Sequence, residues 1–582
     1  MKKTKIVATI GPASESEEVL KELFENGLDV CRLNFSHGTH EEHQKKMDTI
    51  KKVREEMGLP IPIMLDTKGP EIRLKDFKDG VVNVVEGDVF TLTSREVEGD
   101  NTIVSVSYDR LAHDVSVGNL ILIDDGLVEM KVEEIDGLDI KCRVLNSGEL
   151  KNHKGVNVPH VKINLPAVSE RDYEDLLFGI ENDIDFIAAS FVRHAGDILE
   201  IRKVLEEHGG EGIEIIAKIE NQEGVDNIDS ILEVADGLMV VRGDLGVEID
   251  VEDIPLVQKL LIKKANEMGK NVITATQMLD SMIRNPRPTR AEVTDIANAI
   301  IDGTSAIMLS GETASGKYPV EAVKTMRKIA LRIEDSIDYE AGLKNLKDEM
   351  TTTFAIGKAT AQAAYDLNVK AIITATSSGY TSKAISKFRP KAPIIAATTT
   401  EAVRRKLSLV WGVYSVLSEI TEKTDEVIDE SLKAAMDAGY IDAGDVVVIT
   451  AGVPVGIAGS TNLLKVHTIG RVLGKGMGIG QKSSYGRICA VKDVEELIEN
   501  FRDGDIIVTQ AFDRDMTKFA GRSNGIIAGE GGLTSPAAIV GLNLGVPTIV
   551  GFENSLDQLR TGDYITLDAK TGQVFAGEAR VL

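Results

Sequence analysis

Three charged residues follow two neighbouring apolar segments and have the side chains that phosphoryl transfer needs. Lys218 and Glu220 end the segment "IEIIAKIEN" (213 to 221), and Asp244 lies near the end of "GLMVVRGDLG" (237 to 246). Two carboxylates at adjacent strand ends can chelate one hard cation such as Mg²⁺, which leaves positions for substrate oxygens. A lysine beside them stabilises charge on a transferring phosphoryl group. A solvated Lys218–Glu220 ion pair is the alternative interpretation.

A second set of polar residues offers a guanidinium and several oxygens. Arg32, Asn34 and Ser36 alternate in "DVCRLNFSHG" (29 to 38), so they share one face at a strand end. Arg32 suits a phosphate, whereas Asn34 and Ser36 supply oxygens. Asp66 and Thr67 in "PIMLDTKGPEIR" (62 to 73) add more oxygens. The set predicts a cage for a monovalent cation.

Two glycine-containing turns have the form of anion sites. In "GDLG", Gly243 stands ahead of a predicted short helix, whose amides can receive a carboxylate or phosphate. In "TATSSGYTS" (374 to 382), hydroxyl residues and Gly379 lead into a helix as a phosphate nest does. An ordinary helix start is the alternative at both places. The residues of the second turn are Thr376, Ser377, Ser378, Gly379 and Thr381.

Eight β-branched segments, each followed by a polar cluster and an amphipathic stretch, carry most of these residues. They begin at residues 5, 29, 62, 185, 213, 237, 271 and 305. Continuous apolar strands alternating with helices predict an α/β fold with a (β/α)₈ TIM barrel, whose active site lies at the carboxyl ends of the strands. A doubly wound open sheet is the competing fold.

Further domains are predicted around the barrel, which takes residues 1 to 73 and 166 to 339. From 74 to 165, Val/Ile-rich strands alternate with Gly-Asp turns, which indicates an inserted β domain acting as a lid. A new strand–loop–helix pattern predicts an α/β domain at 340 to 472, and residues 473 to 582 form a fourth, mixed domain. The segment "GKGMGIGQKSS" between them is interpreted as a glycine-rich linker.

Composition limits the partners. The 582 residues carry a formal charge of −26, which disfavours nucleic acid and anionic membranes and favours divalent cations as the means of holding phosphates. The three cysteines are widely separated, as expected in a reducing cytosol. The sequence has no apolar run of the ~18 to 20 residues that span a membrane. A cytoplasmic location is predicted.

Six motifs together resemble the pyruvate kinase family: "RLNFSHG", "MLDTKGPEIR", "KIENQEG", "RGDLGVE", "TATQMLDSM" and "IMLSGETASGKYP". The resemblance covers residues 1 to about 472. It implies transfer of the phosphoryl group of phosphoenolpyruvate to ADP, a β-barrel cap, a regulatory α/β domain, Mg²⁺ (or Mn²⁺) and K⁺ as cofactors, and a homotetramer. An aldol-type lyase of the phosphoenolpyruvate/pyruvate group and a catalytically silent metabolite sensor are the alternatives.

The resemblance also implies a role for each matching residue. Arg32 and Lys218 contact the transferred phosphoryl group, Glu220 and Asp244 bind Mg²⁺, and Asn34, Ser36, Asp66 and the Thr67 carbonyl bind K⁺. Asn34, His37, Arg73 and Lys154 serve the nucleotide, and the amides of Gly243 and Asp244, with Thr276, hold the substrate carboxylate. The enolate is protonated near Thr276. Glu71 is the acidic form that accompanies K⁺ dependence in this family.

The two C-terminal domains raise separate expectations. The segment "TATSSGYTS" resembles the family's effector loop, whereas "TAGVPVGIAGSTN" (450 to 462) lacks the tryptophan and arginine of the animal-type loop. A sugar monophosphate or AMP is therefore expected rather than fructose 1,6-bisphosphate. The last domain resembles the phosphohistidine domain of phosphoenolpyruvate synthases, but "GGLTSPAAIVG" has Pro536 in place of the histidine. We expect that it carries no phosphate and that Pro536 begins a helix.

Overall fold

The computed structural model describes residues 1–344, 351–421, 423–452, 461–470 and 472–579. The chain divides into two compact units. The first comprises residues 1–348, 382–389 and 400–415, and the second comprises residues 349–381, 390–399 and 416–582. None of the helices within the described ranges is long and apolar enough to cross a membrane.

The first three parallel strands alternate with two helices. They are β1 (Lys5–Thr9), α1 (Glu17–Glu25), β2 (Val30–Asn34), α2 (His40–Met57) and β3 (Ile63–Asp66). Helix α2 begins with a capping box, in which Thr39 and Glu42 bond reciprocally to each other's backbone, and ends at the left-handed Gly58. These local signals hold the helix in place between two buried strands.

The inserted segment is an all-β domain apart from one short helix. Its elements are β4 (Val81–Val84), β5 (Val89–Thr93), β6 (Ile103–Ser105), α3 (Leu111–Asp114), β7 (Leu120–Ile123), β8 (Val128–Asp136), β9 (Asp139–Val144), β10 (Gly148–Lys151) and β11 (Val156–Asn157). Burial alternates along the strands, so one face packs into the domain's own core. The strands pair as a six-stranded and a two-stranded sheet. Arg73 and Leu74 bridge the two edges of the larger sheet, through Gly155 beside β11 and Val106 beside β6, which closes it as the β-barrel cap of the family resemblance implies.

The barrel resumes after the insertion. Its remaining strands are β12 (Phe186–Ala189), β13 (Glu214–Ile219), β14 (Gly237–Val241), β15 (Asn271–Ala275) and β16 (Ala306–Leu309). Its helices are α4 (Glu170–Glu181), α5 (Ala195–Glu207), α6 (Gln222–Asp226), α7 (Ile228–Val234), α8 (Arg242–Glu248), α9 (Ile254–Glu267), α10 (Arg290–Asp302), α11 (Gly311–Ala314), α12 (Pro319–Glu334) and α13 (Tyr339–Lys344), with a 3₁₀ turn at Asp280–Ile283.

Eight parallel strands close into one ring in the order β1-β16-β15-β14-β13-β12-β3-β2. Closure is made by β1, which pairs with β16 (Lys5 opposite Ala306) and with β2 (Val7 opposite Val30). Side chains on alternate positions belong to two clusters: Val7 packs with Met64 and Phe186, whereas its neighbour Ile6 packs with the helix layer. The predicted (β/α)₈ barrel is confirmed, and the doubly wound alternative is excluded.

A separate sheet has five strands in the order β19-β18-β17-β20-β21. The elements of this region are α14 (Thr352–Asp366), β17 (Ala371–Ala375), α15 (Tyr380–Ser386), β18 (Ile394–Thr398), α16 (Glu401–Lys406), β19 (Val413–Leu417), α17 (Thr424–Asp437), β20 (Val446–Gly452) and β21 (Thr461–Thr468). Strands β18 and β20 both run parallel to β17, whereas β21 is antiparallel to β20. The predicted α/β architecture of this region is confirmed.

The last sheet has eight strands in the order β22-β29-β28-β24-β25-β26-β27-β23. The elements are β22 (Val472–Lys475), β23 (Met477–Ile479), β24 (Ser483–Ala490), α18 (Val494–Asn500), β25 (Ile506–Thr509), α19 (Thr517–Ala520), β26 (Gly525–Ala528), α20 (Pro536–Leu544), β27 (Thr548–Val550), α21 (Ser555–Gln558), β28 (Tyr564–Asp568) and β29 (Gln573–Ala576). Pro536 begins α20, as predicted from its place after Thr-Ser.

The interpretation of "GKGMGIGQKSS" as a linker is wrong, because these residues form β22, β23 and the start of β24. Its glycines are required by close packing. A Cβ on Gly474 would lie 1.8 Å from the ring of Phe552, and a Cβ on Gly478 would lie 2.0 Å from the carbonyl oxygen of Ala569. Glycine inside a strand can mark close approach of another chain segment as well as flexibility.

Candidate active site

Lys218 lies at the carboxyl end of β13, buried among acidic and hydroxyl groups. Its Nζ donates to Asp66 Oδ1 at 3.0 Å and to Ser190 Oγ at 2.6 Å, and it is 3.1 Å from Glu220 Oε1. Burial opposes its charge, but Asp66 and Glu220 outweigh that effect and raise the pKa of Lys218. Lys218 is therefore a fixed cation at the barrel mouth, and the solvated ion pair is excluded.

Glu220 and Asp244 follow the adjacent strands β13 and β14. Glu220 is 2% exposed, and its Oε2 accepts the backbone N–H of Phe191 at 2.6 Å. Burial, reinforced by the charge of Asp244, raises the pKa of Glu220 to about 7 against the opposing effect of Lys218. Burial also raises the pKa of Asp244. Two carboxylates that destabilise each other's charge at one place suit a divalent cation, which would relieve the repulsion.

Arg32 and Asp66 form a buried pair beside Lys218. Arg32 Nε donates to Asp66 Oδ2 at 2.7 Å, and its Nη1 donates to Thr9 Oγ1 at 2.7 Å. Burial alone raises the pKa of Asp66, but the charges of Arg32 and Lys218 outweigh it and hold the pKa below its usual value. Asp66 thus aligns two cations at the strand ends.

The oxygen donors predicted for a monovalent cation lie beside this pair. The last residue of β2 is Asn34, whose Oδ1 accepts the backbone N–H of Ser36 at 3.1 Å, so Ser36 belongs to the following turn. The Thr67 carbonyl accepts Ser190 Oγ at 2.6 Å. Sequence reasoning missed Ser190, although it ends the apolar segment "DFIAAS" in the way that Asp66 ends β3.

Thr276 follows β15 in an unusual backbone conformation, with φ of 67°. Its Oγ1 accepts the backbone N–H of Gly243 at 2.8 Å and donates to the Ala275 carbonyl at 2.6 Å. Gly243 was expected ahead of a helix, but α8 begins at Arg242, so Gly243 and Asp244 lie in its first turn. The hydroxyl of Thr276 and the amide of Gly243 are thereby brought together.

A cleft of ≈ 610 Å³ is lined by residues of both the cap and the barrel. Its lining includes His37, Arg73, Lys154 and Asp244. Arg73 is bonded to Glu71 at 2.6 Å and to the His153 carbonyl at 2.8 Å, and Lys154 is bonded to Asp124 at 2.8 Å. The structure thus brings three of the four predicted nucleotide residues into one cleft with Asp244, a predicted Mg²⁺ ligand, whereas Asn34 is not part of the lining.

The cap contributes two carboxylates to this cleft that sequence reasoning missed. Asp124 and Asp125 both have φ of 55° and stand between β7 and β8. The signal was available in "LIDDGLVEM", where two aspartates precede a glycine in a turn. Their charge partly balances the basic side chains of the cleft.

The predicted effector turn begins directly after β17. Thr376 Oγ1 accepts the backbone N–H of Gly379 at 3.0 Å, and Gly379 has a positive φ of 84°. Thr381 lies within 3.0 Å of Thr461, oxygen to oxygen, whereas Ser377 and Ser378 are exposed. Most of the second predicted loop, residues 453–460, lies outside the described residues.

The turn before Pro536 keeps the shape of an N-capped helix start. Ser535 Oγ accepts the backbone N–H of Ala538 at 3.4 Å, and Gly532 has φ of 103°. Pro536 is exposed at the first helical position, where the missing N–H has no helical partner to lose. Pro536 therefore takes the place of the histidine expected from the resemblance to phosphoenolpyruvate synthases, and it does so without disturbing the start of the helix.

Within the described ranges, no cluster of three or more His, Cys, Asp or Glu side chains is arranged to hold a metal ion. Glu220 and Asp244 still fit Mg²⁺, because this ion is commonly held by one or two carboxylates with substrate oxygens and water as its other ligands. A closed barrel with basic and acidic groups at the carboxyl ends of its strands, beneath an inserted cap, defines a (β/α)₈ enzyme of the phosphoryl-transfer class.

Comparisons with known proteins agree with this class. Residues 1–323 match the family model of the pyruvate kinase barrel domain, residues 354–467 that of the pyruvate kinase alpha/beta domain, and residues 501–572 that of the mobile domain of PEP-utilising enzymes. The chain is 54% identical to the pyruvate kinase of Sporosarcina psychrophila over 587 residues and 55% identical to that of Geobacillus stearothermophilus over 585 residues, with 100% of both chains covered in each case.

The chain is also similar to a solved structure of a pyruvate kinase from Cryptosporidium parvum, with a TM-score of 0.77 and 39% identity. The match covers 80% of this chain and 96% of that chain. The chain belongs to the pyruvate kinase family. The enzyme class predicted from the six motifs is confirmed, and so is the resemblance of the last domain to PEP-utilising enzymes.

Proposed function

We propose that the chain transfers the phosphoryl group of phosphoenolpyruvate to ADP, giving pyruvate and ATP, with Mg²⁺ (or Mn²⁺) and K⁺ as cofactors. The observation that carries the proposal is the buried Lys218, held by Asp66 and Ser190 at the carboxyl end of β13 beside Glu220. A fixed cation in a site screened from water stabilises the charge of a transferring phosphoryl group strongly. Family membership supplies the reaction.

Lys218 and Arg32 are proposed to contact the phosphoryl group of phosphoenolpyruvate. The terminal phosphate oxygen of ADP attacks the phosphorus in line, and the bond from phosphorus to the enol oxygen breaks. Glu220 and Asp244 would hold Mg²⁺, which when bound neutralises charge on the phosphate oxygens. The burial of both carboxylates and the raised pKa of each support this role, because a cation compensates both costs.

The remaining enolate takes a proton at its methylene carbon to give pyruvate. We place Thr276 beside that carbon, and the amides of Gly243 and Asp244 at the substrate carboxylate. The bond from Gly243 N to Thr276 Oγ1 supports a shared site for both groups. The family resemblance supplies the roles, and the neighbouring strand ends of β14 and β15 supply the proximity.

The nucleotide is proposed to occupy the cleft lined by His37, Arg73 and Lys154, with Asn34, the last residue of β2, as a further contact outside that lining. The cleft volume of ≈ 610 Å³ is within the range of small-molecule and cofactor sites. Arg73 and Lys154 are bonded to carboxylates, which ADP phosphates would have to displace or share. Asp124 and Glu71 thus hold the two cations in place before the nucleotide arrives.

The K⁺ site is proposed at Asn34, Ser36, Asp66 and the Thr67 carbonyl. Asp66 Oδ2 accepts one bond, from Arg32, whereas Oδ1 accepts from Lys218 and, at 3.4 Å, from Ser190 Oγ, so a second lone pair remains on Oδ2. Amide, hydroxyl, carboxylate and carbonyl oxygens are the hard ligands that an alkali cation prefers. Glu71 supports the K⁺-dependent form of the site by family resemblance.

Regulation is proposed at the turn formed by Thr376, Ser377, Ser378, Gly379 and Thr381. Strand β17 lies between β18 and β20, and the chain crosses from one side of β17 to the other when it passes from β19 to β20. Ligands of open α/β sheets bind at such a switch point. Near it, buried hydroxyls of Thr398 and Thr450 have no hydrogen-bond partner within the described part of the chain. A phosphorylated small molecule, AMP or a sugar monophosphate, is the proposed effector.

We retain as proposals the predicted domain limits: 1 to 73 with 166 to 339, 74 to 165, 340 to 472, and 473 to 582. We also propose that the chain forms a homotetramer and acts in the cytoplasm. Three buried free cysteines support a reducing compartment. Light scattering after gel filtration tests the tetramer, and titration of the assay with AMP and ribose 5-phosphate tests the effector class.

A lactate dehydrogenase-coupled assay with phosphoenolpyruvate, ADP, Mg²⁺ and K⁺ tests the proposed reaction. NADH oxidation that requires both substrates confirms it. Pyruvate formed from phosphoenolpyruvate without ADP would instead indicate a phosphatase, whose phosphoryl acceptor is water. Pyruvate released by C–C cleavage of a 4-hydroxy-2-oxo acid would indicate an aldol-type lyase. Tight effector binding without any turnover would indicate a sensor, so each alternative has its own outcome.

A further inference from the structure

Two consecutive residues after β15 have left-handed backbone conformations. Thr276 has φ of 67° and Gln277 has φ of 56°. A β-branched residue is a true outlier there, because its Cβ substituents crowd the carbonyl oxygen. Such strain persists only where the surroundings over-determine it. Something must therefore hold Thr276 in this conformation.

The group that holds Thr276 is Arg242, the first residue of α8. Its Nη2 donates to the Thr276 carbonyl at 2.6 Å, and its Nε donates to the Ala275 carbonyl at 3.2 Å. One planar guanidinium thereby binds two consecutive carbonyls, which fixes the two peptide planes on either side of Thr276. The next residue, Gly243, binds the hydroxyl of Thr276 through its amide at 2.8 Å.

Arg242 is itself held from another helix. Its Nη1 lies 2.7 Å from Oδ1 and 2.6 Å from Oδ2 of Asp295 on α10, and the arginine side chain is 11% exposed. The ion pair leaves Nε and Nη2 free to face the strand end. Among the described residues, neither Arg242 nor Asp295 bonds to Lys218, Asp66 or Glu220. Any effect of the two residues on the site therefore passes through Thr276 and the start of α8.

We propose that Arg242, oriented by Asp295, is a positioning residue that holds Thr276 in its left-handed conformation and so directs the Thr276 hydroxyl at the enolate carbon. The inference rests on the proposed function, since it concerns the protonation of the enolate. It predicts that loss of the guanidinium fork misplaces a hydroxyl rather than removing a charge from the phosphoryl group.

The test compares Arg242→Lys and Asp295→Asn with Arg202→Lys. Arg202 is a matched control, because it also pairs with an aspartate, Asp236, and donates to a backbone carbonyl, that of Ile213, at the opposite ends of the strands. Two rates are measured. One is turnover of phosphoenolpyruvate and ADP, and the other is exchange of the pyruvate methyl protons with D₂O, followed by proton NMR in the presence of Mg²⁺ and K⁺.

We expect Arg242→Lys to lower both rates by about 10²-fold, as misplacement of a reacting group does, while the KM for ADP stays within about twofold. Asp295→Asn should lower them in the same direction, and the double variant should cost little more than Arg242→Lys alone, because both act through one residue. Arg202→Lys should lower the melting temperature by about as much as Arg242→Lys does, but it should leave both rates unchanged.

Normal rates per folded enzyme in Arg242→Lys would overturn the inference, as would equal losses in Arg202→Lys. A loss of turnover with unchanged methyl exchange would also overturn it, since the effect would then fall on phosphoryl transfer. Absence of turnover in the unmodified enzyme would contradict the proposed function instead, so the two failures are distinguishable.

Discussion

At the scale of one residue, the burial of Lys218 decides between the two interpretations of the Lys218–Glu220 pair. An exposed lysine beside a glutamate is a weak ion pair, whereas Lys218 has a 9% exposed side chain and contacts two carboxylates and a hydroxyl. The sequence predicted the residue types and their order. It did not predict Ser190 or the bond from Arg32 to Asp66, because these depend on which strands become neighbours in the ring.

Replacing Lys218 tests the proposed transition-state charge. Lys218→Met should lower kcat by about 10²-fold or more with the fold intact, because it removes one of the two cations proposed to contact the phosphoryl group. Steady-state kinetics and circular dichroism measure the two effects. Lys270→Met is the control, since Lys270 donates to the Ala235 carbonyl at the opposite end of the barrel and should keep full turnover. Near-normal kcat in Lys218→Met would contradict the assignment.

Glu71 tests the proposed potassium requirement. Replacing K⁺ by tetramethylammonium should lower turnover of the wild type strongly, and Glu71→Lys should remove most of this difference by supplying a fixed positive charge. Because Glu71 is bonded to Arg73, the variant should also raise the KM for ADP. Glu71→Gln is the control that loses the negative charge without adding a cation. Equal wild-type rates in both salts would count against the cage.

At the scale of elements, the strands of the barrel were predictable because each is a continuous apolar run, buried on both faces. The strands of the last sheet were harder to find. Glycines 474, 476 and 478 weaken the β-branched signal, and each is needed where a Cβ would meet a side chain or carbonyl of a residue distant in sequence. A local pattern cannot distinguish such a glycine from one in a flexible linker, because the neighbour is distant in sequence.

A Cβ at position 478 should disturb the last sheet. Gly478→Ala places a methyl group 2.0 Å from the Ala569 carbonyl oxygen, so β23 must shift, at a cost of about 1–3 kcal/mol. Gly521→Ala is the control, because that Cβ would meet nothing within 4 Å. Proteolysis in increasing urea, with mass spectrometry of cuts within residues 472–579, measures the stability of this region. Equal urea midpoints for the two variants would show that the contact is not restrictive.

The buried Lys5 at the start of β1 should make stability depend on pH. Burial lowers the pKa of Lys5 to about 8 from 10.5, although its Nζ donates to the Val413 carbonyl at 2.6 Å. Between these two values the unfolded chain binds a proton that the folded chain releases, so stability rises with pH through this window. Below about pH 8 the folded chain bears the cost of the buried charge.

Lys5→Met removes this titration. The difference between the melting temperatures of the wild type and the variant should increase in favour of the wild type as the pH rises from about 8 to about 10. We expect an increase of roughly 2–4 °C for each pH unit. Differential scanning fluorimetry over this range measures the difference, and other ionisations cancel because both chains share them. Parallel curves would show that Lys5 keeps an ordinary pKa in the fold.

At the scale of the whole molecule, the chain combines a barrel that carries every side chain proposed for catalysis with a last domain that lacks the expected histidine. All nine histidines lie at or before residue 467, so the last domain contains none. Its structural elements are nevertheless retained, from the eight-stranded sheet to the Ser535 cap of α20. Retention of fold without the nucleophile favours a structural or regulatory role over phosphate transfer.

The last domain should therefore carry no phosphate. Incubation of the full chain with ³²P-labelled phosphoenolpyruvate should leave no acid-labile label on residues 473 to 582, because the exposed Pro536 at the start of α20 offers no nucleophile. Pro536→His supplies an imidazole at the first helical position, with Ser535 still able to cap the helix. We expect no label on this variant either, because transfer also requires a donor site that brings phosphorus within bonding distance of that nitrogen. Label on Pro536→His alone would show that such a donor site persists and that only the histidine has been lost. Label on the wild type would overturn the interpretation of the domain altogether.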